Sequence, residues 1–171
     1  MANRSKNVIG AGIGAGIIGG IVMAAYAMMH GAAVGIGFWT PMRLIAATTN
    51  GVDALIGGGG TLIWGFMIHI VTAAVWGVIF AALLPRRAGV GAGFGLGLLY
   101  GIAVWAVMTF VALALLDPTM QARISLMQGS WFINHLIFGA VTGVLVPAFR
   151  TRAAAERSSA EVRTHPERRA A

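Results

Sequence analysis

The sequence predicts an all-α integral membrane protein in which four transmembrane helices form two parallel two-helix repeats. Three observations lead to this prediction. The chain of 171 residues is 58% hydrophobic and 10% charged, with a mean hydropathy of +0.82, whereas a soluble domain carries about 25% charged residues. Four apolar runs are each long enough to cross a hydrocarbon core of about 30 Å. The second half of the chain repeats the order of elements of the first half.

The apolar runs divide the chain into two repeats and three polar segments. We expect the first repeat at residues 8–84, with spans at about 8–29 and 61–84, and the second at residues 91–149, with spans at about 91–116 and 130–149. Residues 1–7 form a polar N-terminus, residues 85–90 form a basic turn, and residues 150–171 form a polar tail that we expect to be disordered or weakly helical.

Each repeat also contains a short segment between its two spans that we expect to form an interfacial helix on the outer side, at about 41–50 and 118–128. In the first, Thr40 is the expected N-cap, Pro41 suits the first helical position and Asn50-Gly51 ends the helix. In the second, Asp117 caps and Gly129 ends the helix. Trp64 and Trp131, which begin spans two and four, are expected to anchor the chain at the outer interface.

The positions of the basic residues predict the orientation in the membrane. If the N-terminus is cytoplasmic, ten of the twelve lysines and arginines fall on the cytoplasmic side, namely Arg4, Lys6, Arg86, Arg87 and the six arginines of the tail. Only Arg43 and Arg123 then lie outside, as the positive-inside rule requires. We therefore expect a multi-pass protein of the bacterial inner membrane with both termini in the cytoplasm. The net charge of +7 reflects this topology, so we expect no nucleic-acid partner.

Glycines recur at every fourth position in the first and third spans. Aligning Gly12 with Gly93 also pairs Gly16 with Gly97 and Gly20 with Gly101, and Gly77 of the second span corresponds to Gly143 of the fourth. Small residues at this spacing let helix backbones approach closely in lipid. We predict that helices pack through these eight glycines, with spans one and three at the centre and a pseudo-two-fold axis along the membrane normal relating the repeats.

His69 and His135 are the only ionisable residues expected inside the hydrocarbon, and the two repeats place them at matching positions. An ionisable residue at that depth is a functional candidate by default. The pair could ligate a haem b iron or a copper ion from two sides, or line a proton or substrate pathway. Either histidine could instead only fix packing through a hydrogen bond, with Asn134 and Thr72 as nearby partners.

Methionines give a weaker indication of a metal. Met28, Met29 and His30 are consecutive, and Met67 precedes His69 by two residues. Thioether and imidazole ligands suit Cu(I), so these residues are secondary candidates as copper ligands. Methionine is also an ordinary gap-filling residue in apolar cores, and the spacing here follows no compact motif.

The sequence excludes several activities. There is no cysteine, so disulfides, iron–sulfur clusters and thiolate chemistry are absent. No Ser/His/Asp set or carboxylate pair converges, so we expect no hydrolytic enzyme and no activity of the chain by itself, with a place in a redox complex left as an alternative. We expect a small accessory subunit or oligomeric scaffold, in contact with lipid and with further copies or a larger membrane complex through its glycine-rich faces. The alternatives are the haem or copper protein described above and a small oligomeric transporter or channel.

The layout resembles one known group. Four spans, glycine-rich first and third spans, and histidines followed by small residues (His69 with Gly77, His135 with Gly139 and Gly143) are similar to the uncharacterised bacterial inner-membrane proteins of the YagU type. The resemblance covers residues 8–149. It implies a four-span fold, and it implies no activity and no site residues.

Overall fold

The computed structural model describes residues 2–117, 120–121, 124 and 127–164, with side chains from Val8 to Ser159 within those ranges. Over these residues the chain is helical and contains no strand. The helices are α1 (Ala2–Ala33), α2 (Thr40–Asn50), α3 (Gly59–Leu83), α4 (Val90–Val107), α5 (Leu113–Leu116) and α6 (Gln128–Thr164). A 3₁₀ turn at Val52–Ile56 precedes α3, and a π-helical turn at Met108–Ala112 joins α4 to α5.

Four helical segments are long and apolar enough to cross a membrane, which confirms the predicted four-span, all-α fold. They are Val8–Ala33, Gly59–Leu83, Val90–Leu116 and Gln128–Ser159. The first connection carries α2, and the second carries residues 117–127. We call this side of the bundle the connection end, and the opposite side, with the turn after α3 and the last turns of α6, the terminal end.

One local prediction is wrong and another is resolved in part. Of the two alternatives for the tail, disordered or weakly helical, the described part is helical, because α6 continues without a break to Thr164; residues 165–171 lie outside the described residues. Thr40 does not cap α2. It is the first helical residue, Trp39 occupies the N-cap position without a side-chain bond, and the Thr40 hydroxyl donates to the carbonyl oxygen of Ile36 at 2.5 Å. Asp117 does accept a bond from the backbone N–H of Met120, at 2.8 Å. Most of the helix expected at 118–128 lies outside the described residues.

Glycines join the two spans of each repeat. A Cβ on Gly77 of α3 would lie 2.6 Å from the Cα of Gly16 of α1, and a Cβ on Gly97 of α4 would lie 2.8 Å from the Cα of Gly143 of α6. Real side chains do not approach backbone this closely, so each pair of helices crosses at a distance that only glycine permits. The chain is therefore built from two tight hairpins, α1–α3 and α4–α6.

The hairpins pack on each other through α1 and α6, so the expected central pairing of spans one and three is wrong. Gly19 of α1 lies against α6, where an added Cβ would come within 2.8 Å of the Thr142 hydroxyl and 3.1 Å of the Phe138 ring. Gly20 faces α3 and its equivalent Gly101 faces α6, in each case the partner span of the same hairpin. The glycines that the sequence singled out as packing residues are thus buried inside the chain and are not available to a partner.

The two repeats depart from an exact two-fold relation, because α1 and α6 pack extensively whereas α3 and α4 barely touch. The side chains give the reason. With Gly12 aligned to Gly93, Gly19 corresponds to Tyr100, and with His69 aligned to His135, Thr142 corresponds to Trp76. Where α1 and α6 meet through a glycine and a threonine, α3 and α4 are separated by a tyrosine and a tryptophan. The Tyr100 hydroxyl bridges the gap by donating to the carbonyl oxygen of Trp76 at 2.7 Å.

Arg150 ties α6 to α3 at the terminal end. Its guanidinium donates to the carbonyl oxygens of Leu84, at 3.2 Å, and of Ala81. These are carbonyls at the C-terminus of α3, which lack partners within the helix and carry its negative dipole end. The contact closes the bundle on this side, below a core of Ala15, Phe80 and Val146.

Candidate functional site

A cavity of about 280 Å³ lies toward the connection end between all four spans and α2. Its walls are apolar for the most part, and α2 contributes Met42 and Ile45 to the lining. α2 packs closely on α3 at this point. Met42 is 1% exposed, and its carbonyl oxygen would clash with a Cβ on Gly65 of α3, so only glycine permits the contact. α2 is thus a cover packed on the cavity as well as an amphipathic surface helix.

The cavity borders the lipid on one side. Val104 and Met108 of the third span and Thr72 and Trp76 of α3 all line it, yet these two helices barely contact each other. The gap between them is therefore the place where the lining is thinnest. The bridge from Tyr100 to Trp76 marks its limit toward the terminal end.

Both candidate histidines line this cavity. Nε2 of His69 lies 2.9 Å from the carbonyl oxygen of Gly20 on α1. A carbonyl oxygen only accepts hydrogen bonds, so Nε2 carries the hydrogen and Nδ1 keeps its lone pair. The close approach depends on Gly20, since a Cβ there would lie 2.6 Å from the Cβ of Ala73 and 3.7 Å from the imidazole. His69 therefore links α3 to α1 and still offers one basic nitrogen.

His135 is 3% exposed and uses its other nitrogen. Its Nδ1 donates to the carbonyl oxygen of Trp131, one turn earlier in α6, at 2.8 Å. Nε2 has no hydrogen bond to any residue that the structure describes, and it keeps the lone pair. The Trp131 ring stands edge-on to the imidazole, with centroids 4.5 Å apart. The partners expected from sequence, Asn134 and Thr72, bind neither histidine; backbone carbonyls do.

The π-helical turn at Met108–Ala112 positions Trp131. The hydroxyl of Thr109 in this turn accepts a hydrogen bond from Trp131 Nε1 at 2.8 Å. The backbone carbonyl of Thr109 accepts a second bond, from the side-chain amide of Gln121, at 3.0 Å. π-helical turns shift the backbone bonding pattern and occur often at functional sites. Trp131, which we expected to anchor the chain at the membrane interface, lines the cavity and packs edge-on against the His135 ring.

Asn134 lines the same cavity, is 5% exposed, and its Oδ1 has no hydrogen-bond partner within the described part of the chain. A buried, unpaired amide oxygen costs about 1–3 kcal/mol, and buried polar atoms without a partner are rare in folded proteins. Asn134, His69 and His135 thus bring three hydrogen-bonding atoms to one apolar cavity. No aspartate, glutamate, lysine or arginine is among the lining residues that the structure describes.

The secondary metal candidates do not gather at the histidines. Met29 and Met67 are 60% and 52% exposed and do not line the cavity, and Met28 is buried behind the lining residues Ala24 and Met42. His30 reaches the cavity edge and stacks on Tyr26. Other methionines do line the cavity, including Met23 and Met108, but among the described residues no three His, Cys, Asp or Glu side chains form a metal-binding group.

Ligation of a metal by His69 would use Nδ1, since Nε2 donates to Gly20, and His135 would offer Nε2. An engineered cavity of about 150 Å³ in another protein binds benzene, so about 280 Å³ is enough for one substituted ring or a short branched chain. The arrangement favours reversible binding of a small, uncharged, largely apolar molecule.

Sequence reasoning did not identify Trp76, Trp131 or the α2 side chains as site residues. The internal alignment carries a signal for one of them, because Trp76 replaces the small Thr142 of the other repeat at an otherwise similar position. The π-helical turn has no such signal in the sequence. No protein-family model, curated protein or solved structure matches this chain.

Proposed function

We propose that this chain is an inner-membrane protein that binds a small lipophilic molecule in the cavity between its four spans. The observation that carries the proposal is the cavity itself. It combines an apolar wall with three hydrogen-bonding groups, His69, His135 and Asn134, in a chain whose spans otherwise contact through small residues. Ligand sites in proteins have this composition: mostly apolar, with a few convergent polar groups.

The proposal includes an orientation. Charge placement supports a cytoplasmic terminal end, which would put the cavity in the outer half of the membrane. The chain has no cysteine, which makes single-cysteine labelling direct. With an impermeant thiol reagent on intact cells, Ile56→Cys near the connection end, a position that is 87% exposed, should react, and Arg86→Cys in the turn after α3 should react only after permeabilisation. The reverse pattern would overturn the orientation.

A pair of adjacent substitutions tests the binding. Ala112 lines the cavity, whereas Val111 beside it is 50% exposed and does not. Ala112→Phe should fill the cavity and abolish saturable quenching of tryptophan fluorescence by small brominated aromatic compounds in nanodiscs. Val111→Phe adds an aromatic ring to the same helix and should leave the quenching unchanged. Equal quenching in both variants and in the parent protein would refute binding in this cavity.

A second proposal keeps the role of subunit or scaffold, with a second copy of this chain as the partner. Over the most apolar 18 residues of each span, 22% of α3 and 22% of the third span are buried inside the protein, against 39% of α1 and 44% of α6. Gly91 and Gly95 on α4 are exposed with no atom within 4 Å of an added Cβ. If copies associate through this face, Gly95→Leu should shift the mass measured by native mass spectrometry from dimer to monomer. A monomeric parent protein would exclude the proposal.

A further inference from the structure

The hydrogen-bonding atoms of the cavity differ in a way that defines the ligand. His69 and His135 each commit their one N–H to a backbone carbonyl, so the nitrogen left on each ring is an acceptor. The Asn134 oxygen has no partner, and its NH2 group has no hydrogen bond to a described residue either, so this amide offers an acceptor and a donor. The two histidine acceptors and the Asn134 amide therefore face the apolar wall, with no aspartate, glutamate, lysine or arginine among the described lining residues.

An acceptor-rich, uncharged cavity discriminates between classes of ligand. A carboxylate or phosphate would bring further acceptors and a charge without a counter-ion, which is costly in a desolvated site. A ketone, ester or ether could accept from the Asn134 NH2 group but would leave both histidine nitrogens unpaired. A hydroxyl group supplies the missing hydrogen and can accept a bond in return. Trp131, Trp76 and Phe138 lie around the same space and suit a ring.

We propose that the ligand is a neutral lipophilic molecule that bears a hydroxyl group, either a phenol or an aliphatic alcohol. Its hydroxyl group donates a hydrogen bond to His135, His69 or Asn134. This inference rests on the binding function proposed above. It adds the chemical class of the ligand and assigns Asn134 as a specificity-determining residue.

The test uses two probes of nearly the same size, 4-bromophenol and its methyl ether 4-bromoanisole, with the full chain in nanodiscs. Bromine quenches tryptophan, and Trp76 and Trp131 line the cavity. We expect saturable quenching by both probes, with the phenol bound about tenfold more tightly, which is the effect of roughly one hydrogen bond. Probe that only partitions into the lipid quenches in linear proportion to its concentration. This linear component is subtracted from the saturable one.

Asn134→Leu keeps the side-chain volume and removes the amide. It should reduce the preference for the phenol to about threefold or less, while 4-bromoanisole binds as well as before or better. Asn50→Leu makes the same chemical change at an exposed position on α2 and should keep the tenfold preference. The histidines are not needed for this comparison, so a folding defect on removal of His69 does not affect it.

The outcomes separate the two proposals. Saturable quenching by both probes with equal affinity leaves the binding function standing and overturns the assignment of a hydroxylated ligand. Tighter binding of the ether overturns it as well. Absence of saturable quenching by either probe refutes the binding function itself. A preference for the phenol that persists in Asn134→Leu removes Asn134 from the specificity site.

Discussion

The glycine crossing of α4 and α6 allows a quantitative prediction, because the chain provides its own control. A Cβ on Gly97 would lie 2.8 Å from the Cα of Gly143 and 3.1 Å from the carbonyl carbon of Gly139. Carbon atoms pack best at about 3.5–4.0 Å, so Gly97→Ala is too close by roughly 0.7 Å or more. Both contacts are backbone atoms, and no rotamer change can relieve them.

The helices must therefore separate, and the contacts along the crossing weaken. A gap of about 0.5–1 Å removes a quarter to a half of the attraction of each pair, and overpacking in well-packed cores costs about 1–3 kcal/mol. We expect Gly97→Ala to lower the free energy of unfolding by that amount. Gly95→Ala changes the same residue type on the same helix with nothing within 4 Å, so it should be neutral or stabilise by up to about 1 kcal/mol.

Reversible unfolding in mixed detergent micelles with increasing SDS, followed by circular dichroism, measures both variants. The two midpoints should move apart, with Gly97→Ala unfolding at a lower SDS fraction than the parent protein. If both variants unfold together, the crossing does not depend on close glycine contact, and the division into two glycine-packed hairpins loses its energetic basis.

Three further predictions concern the site and the terminal end. Thr109→Val leaves Trp131 Nε1 without its acceptor and should destabilise the fold by about 1–3 kcal/mol and weaken probe binding, whereas Thr109→Ser should restore both; unchanged tryptophan quenching in the valine variant would contradict this. Arg150→Met loses the bonds to the carbonyls that end α3 and should lower the SDS midpoint, while Arg152→Met, which removes only an exposed pair with Glu156, should not. Gently purified protein should carry neither a Soret band nor stoichiometric copper; either one would return His69 and His135 to the role of metal ligands.

The sequence predicted the spans well because membrane helices follow from hydropathy and length alone. The second span, expected at 61–84, is Gly59–Leu83 in the structure, and the third, expected at 91–116, is Val90–Leu116. The pairing of spans could not be predicted in the same way. Glycines at Gly12 or Gly93 indicate that a helix face permits close approach, but not which helix approaches it.

The site was predicted in part. His69 and His135 were identified because an imidazole within an apolar run is conspicuous, and the structure places both at one cavity. Their hydrogen bonds to the carbonyls of Gly20 and Trp131 were not predictable, since backbone acceptors have no sequence signature. The π-helical turn at Met108–Ala112 was missed for a related reason: it differs from an α-helix only in its bonding pattern, and its residues are ordinary helix formers in lipid.

The cavity exists where the two repeats differ, and the rigid hairpins exist where they agree. Gly19 and Thr142 let α1 and α6 close, and their equivalents Tyr100 and Trp76 hold α3 and α4 apart. If both interfaces closed as α1–α6 does, the bundle would gain its two-fold axis and lose the space between the spans. A duplicated chain thus needs only a few large side chains at one of its two equivalent interfaces to create a binding site.

The same divergence gives the paired histidines different tasks. His69 donates across its hairpin to Gly20 and so depends on the glycine crossing, whereas His135 donates to Trp131 within its own helix. Loss of His69 should therefore loosen α1 from α3, while loss of His135 should alter the cavity and leave the hairpin intact. Replacement of His69 should thus change mainly stability, and replacement of His135 should change mainly ligand binding. A symmetric metal or haem site predicts the same effect for both residues.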